Sequence, residues 1–100
     1  MVSAKKLNGK DIIEKGLGGL GKLKLIKALA EEERMMTIYS LHKKTHLKRE
    51  DIKRNLSDLI DIDWVREEKL ANVLYRLNRQ NENVQHLLTF LKNVEYVYYP

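Results

Sequence analysis

The sequence predicts a mainly α-helical chain with one small β-hairpin and an additional C-terminal helix. Three observations carry this. Apolar residues recur at spacings of three and four from Leu23 to Ile60, which is the period of a helix with one buried face. The period changes to alternation between Trp64 and Leu77, as in a half-buried strand pair. The helical period then returns from Glu82 to Asn93.

Residues 1 to 10 are polar and basic without periodicity and read as a loose arm. Asp11 to Lys15 reads as a short helical turn anchored by Ile12 and Ile13. The run Gly16-Leu17-Gly18-Gly19-Leu20-Gly21 is a break. It lacks the Gly-Lys-Ser/Thr ending and the preceding strand of a phosphate loop, so it reads as a flexible lead-in. A first long helix is expected from Lys22 to Arg34, with Leu23, Ile26, Leu29 and Ala30 as its stripe and Leu25 beside it. Lys22, Lys24 and Lys27 fall on other parts of its surface. Glu31, Glu32 and Glu33 oppose the helix dipole at its end.

Thr37 is a candidate N-cap for a short helix from Ile38 to Lys44, with Ile38 and Leu41 inward. Thr45-His46-Leu47 reads as a tight turn. A third helix, Lys48 to Ile60, buries Ile52, Leu56, Leu59 and Ile60 and points Glu50 and Arg54 outward. Trp64-Val65-Arg66 and Val73 to Leu77 are the strands, with Glu67 to Asn72 between them. The last helix runs from Glu82 to Asn93 behind Asn81, followed by an extended aromatic tail, Tyr96 to Tyr99. Two helices joined by a three-residue turn form a helix-turn-helix signature, and the hairpin after them makes it winged. The chain thus divides into a flexible or partly helical arm (1–20), a winged helix-turn-helix domain (21–80) and a C-terminal helix with its tail (81–100).

The stretch from Gly21 to Leu77 resembles the winged helix-turn-helix transcriptional regulators of archaea and their viruses, in particular those related to the ArsR and MarR groups. The resemblance lies in Gly21 to Ala30, in Thr37-Ile38-Tyr39-Ser40-Leu41, in Thr45-His46-Leu47, in the spine Ile52, Leu56 and Leu59, and in the strands Trp64-Val65-Arg66 and Leu74-Tyr75-Arg76-Leu77. It implies a symmetric dimer built with the terminal helices. It also implies a recognition helix in the major groove and a wing on the backbone or minor groove. His46 stands where such turns carry glycine; a left-handed backbone there costs about 1 kcal/mol for a residue with a side chain. His42 stands where a small residue is usual.

Charge points to the same partner. The 100 residues carry 19 Lys and Arg against 14 Asp and Glu, a net charge of +5, which suits a polyanion. Lys43, Lys44, Lys48, Arg49, Lys53 and Arg54 crowd one segment, offset by Glu50 and Asp51. Lys43, Lys44 and Lys48 are expected on phosphates. Arg49, Lys53, Arg54 and, less directly, Asn55 are expected at base edges, because Arg bridges guanine and Asn pairs with adenine. Lys69, at the wing tip, is expected on the backbone or minor groove. The function expected is sequence-specific binding of double-stranded DNA by a cytoplasmic or nucleoid regulator. The alternatives are a winged-helix protein-interaction module, which Glu50, Asp51, Glu67 and Glu68 would suit, and a non-specific architectural DNA-binding protein.

The last helix carries a second expectation. Val84, Leu87, Leu88, Leu91 and Val94, with Phe90 nearby and Tyr98 in the tail, are candidates for a homodimer interface. Two-fold symmetry would set two recognition helices about 34 Å apart, one turn of DNA. The competing reading is that this helix closes the core of a single chain.

Other functions are disfavoured. Zero cysteines exclude disulfides and thiolate metal sites. No secretory segment and no apolar run near the ~18 residues of a membrane span is present. His42 and His46 are four apart and would chelate a metal only if one helix ran through both; the turn is expected to break that geometry. No carboxylate or thiol is placed to complete the site, and His86 reads as an ordinary helix residue. No metal, cofactor or enzyme activity is therefore expected, and no small-molecule effector can be inferred. Ser40 and Ser57 have no neighbouring base at a telling spacing.

Overall fold

Local caps and close approaches set where each element begins and ends. The computed structural model describes residues 8–98. Among them are five helices and one hairpin: α1 (Gly9–Leu17), α2 (Leu20–Ala30), α3 (Ile38–Thr45), α4 (Arg49–Asp61), β1 (Val65–Lys69), β2 (Val73–Leu77) and α5 (Glu82–Asn93). The expected loose arm lies mostly outside the described residues, as does Tyr99 of the tail.

The glycine run is not a flexible lead-in. Asn8 caps α1, its side chain accepting from the Asp11 N–H at 2.8 Å, and the helix continues through Gly16. Gly16 is buried, and a β-carbon there would stand 2.5 Å from the Trp64 ring. The glycine is what lets α1 lie on the indole. Gly19, at φ 128°, then reverses the chain into α2 in a conformation open to glycine alone at no steric cost.

Helix α2 stops at Ala30, four residues before the expected end, and Glu31 is its C-cap. The three glutamates would have lain on the negative end of the dipole. Its buried side is Leu25, Ile26, Ala28, Leu29 and Ala30, while Leu23 is half-buried. Lys22, expected on the surface, is buried. Its ammonium lies 2.8 Å from Asp58 Oδ2 on α4, since a buried cation persists only with a partner.

Thr37 caps α3 in a full capping box: Thr37 Oγ1 accepts from the Ser40 N–H and Ser40 Oγ from the Thr37 N–H. His46 ends the helix in the left-handed region, at φ 63°. Two side chains secure the turn. His42 donates from Nδ1 to the Leu47 carbonyl at 2.6 Å, and Thr45 Oγ1 bonds both the Leu41 carbonyl and the Leu47 N–H. Helix α4 then buries Ile52, Leu56 and Leu59 against α2 and α3.

Strands β1 and β2 are antiparallel, with register from Val65 opposite Leu77 to Lys69 opposite Val73. The hairpin is longer and its tip shorter than the sequence suggests, because pairing continues through Glu67 and Glu68. Met36 forms a two-way backbone bridge to Tyr75 at 2.8 Å in each direction. The segment before α3 is thereby tied to the wing.

Asn81 caps α5, accepting from the Asn83 and Val84 N–H groups. Val84, Leu88 and Leu91 are buried in the core of the single chain, so the interface role expected of these three does not hold. They meet Val97, also buried, because the tail folds back instead of extending. Lys27 Nζ donates to the Tyr96 carbonyl at 2.6 Å, and Glu31 Oε2 accepts from the Tyr98 N–H at 2.9 Å. Burial pushes the Glu31 carboxyl up, but the hydrogen bonds from Lys27 and Tyr98 outweigh it and hold its pKa below the ordinary value. Among the described residues, no helix is long and apolar enough to cross a membrane.

Candidate nucleic-acid interface

Helix α3, the His46 turn and α4 present one exposed basic surface, and Tyr39 is its centre. The ring is exposed on α3, one turn before Lys43. Lys43 Nζ lies 5.7 Å from the ring centroid, and the Arg49 guanidinium 5.7 Å from it as well. Each is within cation–π range. Lys43 and Arg49 come from the two helices of the motif, and the tyrosine holds both at one place. Lys48 stands beside them as the exposed N-cap residue of α4, with no side-chain cap bond. Tyr39 was not singled out from the sequence. The available signal was an aromatic residue on the outer side of a short helix, four residues ahead of a lysine.

The remaining expected contacts are scattered. Arg54 is exposed, but its guanidinium is paired with Asp51 one turn earlier on α4. Asn55 is half-buried and faces α2, where its Nδ2 would stand 2.7 Å from a β-carbon on Gly21. It does not point to a base edge from there. Lys44 turns to the other side of α3 and lines a depression with Lys24, Lys27, Glu31 and Tyr96. Lys53 lines a groove of about 220 Å³ between α4 and the wing, with Ser57, Asp61, Glu67 and Tyr75. Burial, and then Glu67, raise the Tyr75 phenol above its ordinary pKa, so it stays neutral beside that groove. Lys69 is exposed at the last rung of the hairpin, next to Leu70, which is exposed at the tip.

Among the described residues, no group of three or more His, Asp or Glu is placed to hold a metal ion. The surface therefore offers cations, hydrogen-bond donors and one aromatic face, and these are the means of binding a polyanion.

Helix, turn, helix and hairpin in this order, with Met36 before α3 bridged to the hairpin, make this a winged helix-turn-helix fold. A solved structure described as the predicted DNA-binding transcriptional regulator from E. coli is similar over 85% of this chain and 87% of that one, with a TM-score of 0.69 and 21% identity. A possible HxlR family transcriptional factor from Thermoplasma volcanium GSS1 is similar over 90% of this chain and 87% of that one, with a TM-score of 0.66 and 17% identity. No family model and no curated protein matches the sequence. At this identity the likeness is one of fold.

Proposed function

We propose that the chain is a sequence-specific regulator that binds double-stranded DNA, with the N-terminal half of α4 in the major groove. The observation that carries this reading is the Lys43–Tyr39–Arg49 cluster. It places two cations from both helices of the motif on one exposed face. Arg49 reads base edges, Lys43 and Lys48 hold phosphates, and Lys69 touches the backbone beside the wing tip. Lys53 reaches the groove edge from the wing side. The descriptions of the two solved neighbours, each a transcriptional regulator or factor, support this reading.

The finer placement, with ArsR- and MarR-related regulators of archaea or their viruses and a cytoplasmic or nucleoid location, rests on the sequence resemblance. So does the division into arm, domain and C-terminal element. The chain acts as a homodimer in this reading. Phe90 on α5, Val94 at its C-cap and Tyr98 in the tail are 60%, 54% and 66% exposed. With half-buried Leu87 they leave an apolar face for a second copy.

Selection of bound duplexes from a random pool, at two salt concentrations, tests the proposal. A palindromic motif is the expected result. Arg49→Gln is expected to weaken the selected site by about 1–3 kcal/mol and relax one base position. Enrichment of no motif, with strong salt-sensitive retention, would point to architectural binding. Absence of retention at low salt would leave the fold as a protein-docking module.

A further inference from the structure

A second group of cations lies away from α4. Glu67 and Tyr75 are cross-strand partners, and both line the groove shared with Lys53, Ser57 and Asp61 of α4. Side chains alternate along a strand. Arg66 and Arg76, also cross-strand partners, therefore lie on the other face of the hairpin. Like charges directly opposite each other destabilise a strand pair. Nothing in the reading of α4 requires this arrangement.

Two further arginines complete the group. Arg34, from the segment after α2, and Arg79, just after β2, line one depression with Arg66 and Arg76. Its volume is about 320 Å³, and Leu29 and Leu77 are buried at its base. Arg79 is held in place, its Nη2 donating to the Ala30 carbonyl at 3.0 Å. Arg66 makes only a 3.5 Å approach to Asp63. The guanidinia of Arg34 and Arg76 have no hydrogen-bond or ion-pair partner among the described residues. Glu32 and Glu33 line the same depression but bond neither of them, and Asp63 only approaches Arg66, so the guanidinia of Arg34 and Arg76 are left exposed to a ligand there.

We infer that Arg34, Arg66, Arg76 and Arg79 form a second anion site, one that takes a phosphate group. Guanidinium forks match the oxygens of phosphate in pairs and bind it more strongly than neutral donors do. A phosphate dianion placed between Arg66 and Arg76 turns their repulsion into two attractions. The phosphate has two possible sources, a small phosphomonoester or the backbone of a DNA segment other than the one on α4. The site stands on its own residues and does not depend on the DNA-binding reading of α4.

Nitrogen-15 NMR of the arginine side chains separates the cases, with inorganic phosphate, adenosine monophosphate and a random-sequence duplex as probes at matched ionic strength. Inorganic phosphate is expected to shift the Nε–Hε signals of Arg34, Arg66 and Arg76 saturably, and the Arg66→Gln/Arg76→Gln double variant to lose the response. Arg76→Gln alone serves if the double variant does not fold. Binding of the monophosphate about tenfold or more tighter than inorganic phosphate assigns the site to a small ligand. The same shifts from duplex in an Arg49→Gln background assign it to nucleic acid. Shifts that chloride reproduces, or that stay on Arg49 and Arg54 of α4, overturn the proposal. Loss of duplex binding by α4 with the phosphate shifts intact would remove the DNA-binding reading and leave this one standing.

Discussion

His46 shows how one residue can carry both a cost and a purpose. Its left-handed backbone is what turns α3 into α4, and the cost of that conformation is of order 1–2 kcal/mol for a residue with a side chain. His42 and Thr45 tie the turn down from either side. His46→Gly is therefore expected to raise stability by about 0.5–1 kcal/mol, less than the full strain because glycine loses more entropy on folding. Urea unfolding measures this, and a fall in the midpoint would show that the imidazole makes a compensating contact. Lys22 gives the opposite case. Asp58→Ala leaves the buried ammonium with only the Glu14 carbonyl, at 3.4 Å, among the described residues. The expected loss is about 1.5–3 kcal/mol, the range for hydrogen bonds to charged groups, read from the same unfolding experiment.

At the scale of elements, the C-terminal tail is fastened by Lys27 of α2, by the carboxylate of its C-cap Glu31, and by Val97 in the core. Glu31 is held below its ordinary pKa in the folded chain, so the unfolded state binds more protons as the pH falls through the carboxylate range. Its contribution is complete above the unfolded value of about 4.3 and is lost as pH falls through the folded one. Thermal midpoints followed down through that range should show a steeper acid limb for the native chain than for Glu31→Gln; equal limbs would mean that the Glu31 carboxylate does not contribute to holding the tail. The elements also differ in how far the sequence discloses them. Helices α3, α4 and α5 are legible because their caps and stripes are local: Thr37, Asn81 and the spacing of Ile52, Leu56 and Leu59. Gly16 was read as a break because the reason for it, the Trp64 ring, lies far along the chain. The length of the wing was hidden by Glu67 and Glu68, whose strand pairing leaves no apolar alternation. Within the site, the basic residues were visible as a group. What the sequence did not reveal was which of them converge, since that depends on Tyr39, on the Asp51 pair and on Asn55 facing α2.

At the scale of the whole molecule, the question is what covers α5. Its inner side closes the chain's own core, and Phe90 and Val94 remain outside. In the proposed homodimer, Phe90→Glu is expected to leave the fold intact and to shift sedimentation equilibrium from dimer toward monomer. An unshifted dimer would move the interface to α1, where Ile13 is exposed. The seat of Gly16 on Trp64 has a practical consequence for such measurements. Trp64 is the chain's one tryptophan, and α1 lies directly on its ring. Its indole is thus an intrinsic optical reporter on a single joint. Its emission should move to longer wavelength when α1 lifts off, even while α3, α4 and the wing stay folded. Comparing fluorescence with circular dichroism on the unmodified chain would then distinguish detachment of the first helix from global unfolding.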